Sequence, residues 1–151
     1  VITTGFNDTY NHRDMNLPQI RKQFADRTAP QIERIKRAAP NARVQIVGYP
    51  TIGSGPYYCL FHFGPRPADS TFLPGIQDFE NKAQWMQVDL AARTGVQFLD
   101  MKPSTRNNGM CADANQRMWA GLVDFTGGDG NLPIHMNQRG HEHAANVIAR
   151  S

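Results

Sequence analysis

Two short segments at opposite ends of the chain combine residue types that can do chemistry on a bound ligand. The first is Gly5-Phe6-Asn7-Asp8, directly after Val1-Ile2-Thr3-Thr4, which is β-branched throughout and reads as a buried strand stopping at a glycine that permits a tight turn. At such a strand exit the Asn7 amide projects beyond the carboxyl edge of a sheet, where ligands sit in open α/β folds, and can donate a hydrogen bond there. The plain alternative is an ordinary turn asparagine. The second segment is Leu132-Pro133-Ile134-His135-Met136-Asn137-Gln138-Arg139-Gly140-His141, which presents His135 in a loop just ahead of the last helix. A histidine so placed beside a ligand crevice suits a general base. Its plain alternatives are a solvent-exposed histidine and an Asn137 that only caps the helix. A metal site built from His135, His141 and His143 with Asp129 is the other chemistry available, but His141 and His143 stand two apart on a predicted helix and point to different faces. No metal and no cofactor are expected.

The elements that must position these residues follow from periodicity. Leu17 to Ala39 is helical, with Pro18 in the first turn and Ile20 and Phe24 on one face; Thr28-Ala29-Pro30-Gln31 resembles a capping box, predicting two short helices or one kinked at Pro30, with Ile32 and Ile35 inward. Arg43 to Gly48 reads as a strand ended by Tyr49-Pro50. Residues 51 to 76 hold Gly, Pro and the aromatics Tyr57, Tyr58, Phe61, Phe63 and Phe72 without a sustained period, a long loop that Cys59 could pin. Asp78 to Arg93 is helical through Phe79, Ala83, Met86 and Leu90, and Val96 to Met101 is a further strand. A short helix from about Asp113 to Leu122, a Gly-rich loop at 127 to 130 and a helix from about Gln138 to Arg150 complete the chain. Strand, helix, strand, helix, strand argues for a parallel α/β sheet with right-handed crossovers.

Composition narrows the class. At 151 residues and 40% hydrophobic content the chain fits one domain with a sizeable core. The net charge is +3 and the pI about 9.1, yet the Lys and Arg residues are spread out, densest from Arg21 to Arg43, with no aromatics alternating among them. That is a solvated helix face rather than a nucleic-acid surface. No run of residues is apolar enough to predict a membrane span. The chain opens on Val1 without an initiator Met, which suggests processing or truncation. Cys59 and Cys111 are either two separate buried thiols or a bridge closing a loop of about 50 residues, worth roughly 3 to 4 kcal/mol in the chain-entropy model; a bridge would imply an oxidising compartment.

Together, Gly5-Phe6-Asn7-Asp8 and the segment Leu132 to His141 resemble two blocks of the SGNH (GDSL-like) hydrolase family. Its third block reads Gly-x-Asn-Asp after a strand, and its last block, in secreted actinobacterial members, resembles His-Pro-Asn-x-x-Gly-His. Val47-Gly48-Tyr49-Pro50, the cysteine loop and Gly109-Met110-Cys111 also look like those members, so the resemblance covers nearly the whole chain. It implies a flavodoxin-like three-layer α/β fold with a parallel sheet whose N-terminal strands are absent here, residues 1 to 151 forming one partial domain. It implies a secreted carboxylic-ester hydrolase, an esterase or lipase acting on an ester, lipid or acylated sugar. His135 becomes the catalytic base, Asn7 an oxyanion-hole donor with Gly5 the glycine of its turn, Cys59 and Cys111 a disulfide, and His141 a packing residue of the last helix. A non-catalytic lipid- or carbohydrate-binding domain derived from the same fold is the competing class.

The chain departs from the family in three places. The nucleophile of the family lies in a Gly-Asp-Ser block upstream of the Gly-x-Asn-Asp turn, and none of Ser54, Ser70, Ser104 and Ser151 follows Gly-Asp. The serine is therefore expected on a preceding segment that pairs along Val1 to Thr4, leaving this chain alone inactive. Many members carry an Asp three residues before the histidine; here that position is Leu132, whose backbone carbonyl is the expected orienter, with Asp129 the second candidate. Met136 replaces the usual proline.

Overall fold

Caps and apolar spacing direct where the chain folds. The Asn16 side chain accepts the Gln19 N–H and the Gln19 side chain accepts the Asn16 N–H, both at 3.0 Å, a reciprocal box that starts a long helix with Pro18 in its first turn. The computed structural model describes residues 1–126 and 131–151. In chain order the elements are α1 (Phe6–Asn11), α2 (Leu17–Ala38), β1 (Gln45–Val47), β2 (Tyr57–Tyr58), β3 (Phe61–His62), β4 (Thr71–Phe72), α3 (Pro74–Thr94), β5 (Gln97–Leu99), α4 (Lys102–Thr105), β6 (Val123–Asp124) and α5 (Gln138–Arg150). The fold is mixed α/β with short parallel strand pairs. Contacts gather the residues into two units, Val1–Tyr49 with Asp78–Asp100 and Pro50–Gln77 with Met101–Ser151.

In the first unit β1 pairs in parallel with β5, Ile46 opposite Phe98. Ile2 forms a parallel bridge to Ile46 on its own, donating to Gln45 O and accepting from Val47 N, each at 2.9 Å. The expected strand over Val1 to Thr4 is thus reduced to one bridge, and the strands expected over Arg43 to Gly48 and Val96 to Met101 shorten to three residues each. The connections run through α2 and α3, whose apolar faces meet in one core of Ile20, Phe24, Ala29 and Ile32 with Ile46, Met86, Leu90 and Ala91. Helix α2 runs through Pro30 without restarting. Pro30 is exposed, while Ala29 and Ile32 on either side are buried, and the apolar stripe outweighs the roughly 3 kcal/mol that an interior proline costs. Ile35, expected inward, is exposed because the stripe ends at Ile32.

The second unit is built from short pieces. β2 pairs antiparallel with β4, and β3 pairs in parallel with β6, His62 opposite Asp124. A disulfide joins Cys59 to Cys111, with Cα atoms 4.9 Å apart. The helix expected from Asp113 to Leu122 is absent. Asp113 O accepts from Gln116 and Arg117, one turn only, after which Met118 N donates to Asn108 O and Ala120 N to His135 O. Pairing with distant backbone replaces the i to i−4 ladder. Helix α5 keeps the expected bounds, Asn137 capping it through a side-chain bond from Gly140 N at 3.0 Å.

Candidate functional site

Gly5 and Asn7 belong to the first unit. Gly5 has φ of 113°, in the region that favours glycine, and a Cβ there would stand 3.2 Å from Phe24 Cζ, so both the turn and the packing select this residue. Its carbonyl accepts from Asp8 N at 3.1 Å and opens α1. Asn7 lies in the first turn of α1, exposed, its side-chain amide without a partner among the described residues. Behind it, Thr9 is buried and donates its hydroxyl to Phe6 O at 2.6 Å, and the Phe6 ring meets Tyr49 edge-on at 5.6 Å. Burial pushes the Tyr49 hydroxyl above its ordinary range.

His135 belongs to the second unit and is fixed by a turn. Its N–H donates to Leu132 O at 3.3 Å, with Pro133 and Ile134 between, and Ile134 has φ of 59°. Proline at the second position and positive φ at the third give the turn a type II form, in which glycine or asparagine normally takes Ile134's place. Three backbone bonds hold this strap against residues 118 to 121: Ile134 N to Gly121 O at 3.1 Å, Ala120 N to His135 O at 2.8 Å, and Asn137 N to Met118 O at 3.0 Å. The His135 ring is exposed, and its Nδ1 stands 2.8 Å from Pro133 O. A carbonyl only accepts, so Nδ1 carries the proton; in the neutral ring this leaves the lone pair on Nε2, the tautomer a general base requires.

The carbonyl at the ring is that of Pro133, the residue after Leu132, whose own oxygen is engaged by the His135 backbone N–H. The left-handed Ile134 brings Pro133 O, one residue nearer, within reach of the ring. Asp129 lies outside the described residues. His141 is exposed on α5. His143 Nε2 lies 2.9 Å from Ser104 Oγ, which also stands 3.2 Å from Met101 O. This serine–histidine contact spans 39 residues with no local motif, and sequence reasoning missed it. No third group orients His143 among the described residues. Ser54 is exposed in a bridge with Tyr57. Among the described residues no three His, Cys, Asp or Glu side chains gather as metal ligands, and no helix is long and apolar enough to cross a membrane.

Sequence reasoning also missed a buried ionic cluster beneath the strap. Asp124, 3% exposed at its side chain, accepts from Arg117 Nη2 at 3.2 and 3.3 Å, Thr126 N at 2.9 Å and Gly121 N at 3.2 Å, and its Oδ2 lies 3.1 Å from His62 Nδ1. Burial alone would raise the Asp124 carboxyl, but the Thr126 and Gly121 N–H groups, the Thr126 hydroxyl and the Arg117 charge outweigh it and hold the carboxyl below its ordinary range. His62 Nε2 faces Met110 O at 2.9 Å, so the ring ties β3 to the residue before Cys111. No family model and no curated relative matches the chain.

Proposed function

We propose that the chain is part of a secreted carboxylic-ester hydrolase of SGNH type, with His135 as general base and Asn7 as an oxyanion-hole donor. The observation that carries the reading is the placement of His135: an exposed ring whose Nδ1 donates to Pro133 O on a backbone-clamped turn. In this reading Nε2 takes the proton of a serine hydroxyl as its oxygen attacks the ester carbonyl, and returns that proton to the leaving alcohol. The unengaged Asn7 amide donates to the tetrahedral oxyanion, a role typically worth about 3 to 4 kcal/mol. Water then repeats the sequence on the acyl-serine. The serine is proposed to come from a preceding Gly-Asp-Ser segment pairing beside Ile2. The exposed Val1 and Thr3 on either side of the Ile2 bridge make no backbone hydrogen bond among the described residues, which supports an open edge there. The disulfide supports an oxidising compartment outside the cytoplasm.

The test uses the full-length protein with a fluorophosphonate probe and a chromogenic short-chain ester. Labelling at an upstream serine and turnover should both fall at least about 1000-fold in His135→Ala. Absence of labelling and turnover in the unaltered full-length protein sinks the proposal and leaves the binding-domain reading. One observation favours a second reading, the Ser104 Oγ to His143 Nε2 contact at 2.9 Å. An adduct mapped to Ser104, lost in His143→Ala and kept in His135→Ala, would move the nucleophile there.

A further inference from the structure

The β3 and β6 pair sorts its side chains by polarity. His62 and Asp124 turn inward and are buried, whereas Phe61, Phe63 and Phe125 stand on the opposite side, 37%, 58% and 78% exposed. The rings form a continuous row, with centroids 6.3 Å apart from Phe61 to Phe63 and 5.8 Å from Phe63 to Phe125. At about 150–250 Å² per aromatic side chain, the exposed part comes to the order of 300 Å², comparable to the largest apolar patch of a typical monomer, which is often functional.

The polar groups around this row are already engaged. Asp69 accepts from Phe61 N at 2.8 Å and from the Thr71 hydroxyl at 2.9 Å, Phe61 O accepts from Ala68 N at 2.8 Å, and Phe125 N donates to His62 O at 2.9 Å. The face therefore offers little of the hydrogen bonding, about one bond per 100–200 Å², by which a folded protein partner is held in register. Arg66, exposed between Pro65 and Pro67 and three residues beyond Phe63, has no ion-pair partner among the described residues. A row of exposed rings, followed three residues along the chain by an exposed arginine with no ion-pair partner among the described residues, matches an apolar layer edged by anionic groups.

The geometry points to a lipid-docking face, in which Phe61, Phe63 and Phe125 enter the interfacial layer of an anionic bilayer and Arg66 meets its headgroups. The inference needs no turnover and stands or falls separately from the hydrolase reading. It is tested by sedimentation of the full-length protein with phosphatidylcholine vesicles, with and without phosphatidylglycerol. Binding should be stronger to the anionic vesicles. The double variant Phe63→Ala/Phe125→Ala should weaken it at least about tenfold, and Arg66→Gln about fivefold on anionic vesicles only. Phe125→Trp supplies a readout that does not depend on affinity: the emission of the introduced indole should shift to the blue on vesicle binding and be quenched by brominated acyl chains. Three results overturn the inference. They are no sedimentation with either vesicle, binding unaltered by the double alanine change, and an indole emission in the Phe125→Trp protein that is already blue-shifted without lipid, which would mean that protein covers the face.

Discussion

Asn137 couples the helix that follows His135 to the segment beneath it, and replacing it separates two roles that share one side chain. Its Oδ1 accepts from Gly140 N at 3.0 Å, capping α5, while its Nδ2 donates to Arg117 O at 2.8 Å, and the residue is only 5% exposed. Asn137→Ala removes a cap, about 1 kcal/mol, and leaves a buried carbonyl without its donor, about 1–3 kcal/mol. A loss of about 2–4 kcal/mol is expected. Asn137→Ser retains the capping oxygen and loses only the donor, so it should lie between Ala and the parent. Asn137→Asp also caps, but sets a buried carboxylate against the Arg117 carbonyl and should be at least as costly as Ala at neutral pH. Urea unfolding followed by circular dichroism measures the series, with the slope unchanged if only stability is altered. An Ala variant within about 0.5 kcal/mol of the parent, or an Asp variant more stable than Ser, would refute the assignment of two bonds to this side chain.

Three further outcomes follow from the same unit. Cys59→Ala/Cys111→Ala opens a bridge spanning 52 residues and should lower unfolding free energy by about 4 kcal/mol in the chain-entropy model, read by chemical denaturation without reductant. Asp124 has a folded carboxyl held below its ordinary value, so its contribution is fully present above the unfolded carboxyl value of about 4 and is lost as pH falls through the lower folded one. Stability measured from neutral pH to pH 2 should show this loss in the parent, whereas Asp124→Asn should be less stable at neutral pH by about 3–5 kcal/mol, with Arg117 left buried and unpaired, and flatter across the acid range. Ile134→Asn should raise the unfolding free energy by about 0.5–1 kcal/mol, because asparagine tolerates positive φ and Ile134 is 47% exposed; a loss of stability would show that its side chain holds the turn.

What the sequence discloses depends on how local the physics is. Helix α5 was legible to its ends because its cap, Asn137, and its terminus, Arg150, lie within the segment itself. The α3 face of Ala83, Met86 and Leu90 was legible for the same reason, and all three are buried. Pro30 left open whether one helix or two would form, because the local cost of a proline says nothing of the core that Ala29 and Ile32 enter. The segment from Asp113 to Leu122 misled: its backbone bonds go to Asn108 and His135, and its Arg117 guanidinium to Asp124, partners that no helical period can reveal. The candidate site divides along the same line. Gly5 could be read as a turn glycine from its place after a β-branched run, and φ of 113° agrees. The partner of the His135 ring could not, because it depends on one dihedral at Ile134.

That dihedral links structure to the proposed chemistry. An isoleucine at φ of 59° is unfavourable by roughly 1–3 kcal/mol and persists only where the surroundings over-determine the backbone. Here they do: Ile134 N, His135 O and Asn137 N are all bonded to residues 118 to 121, and the Asn137 side chain adds a fourth tie to Arg117. The clamped strap is in turn seated on residues held by the buried Asp124 and Arg117 pair, so the cost is met by a rigid polar layer rather than by the turn itself. A surface loop with no task could relax by a single substitution at Ile134. What the strain maintains is one carbonyl at Nδ1 of an exposed imidazole, which in the neutral ring leaves the lone pair on Nε2, the arrangement that the proposed general base requires.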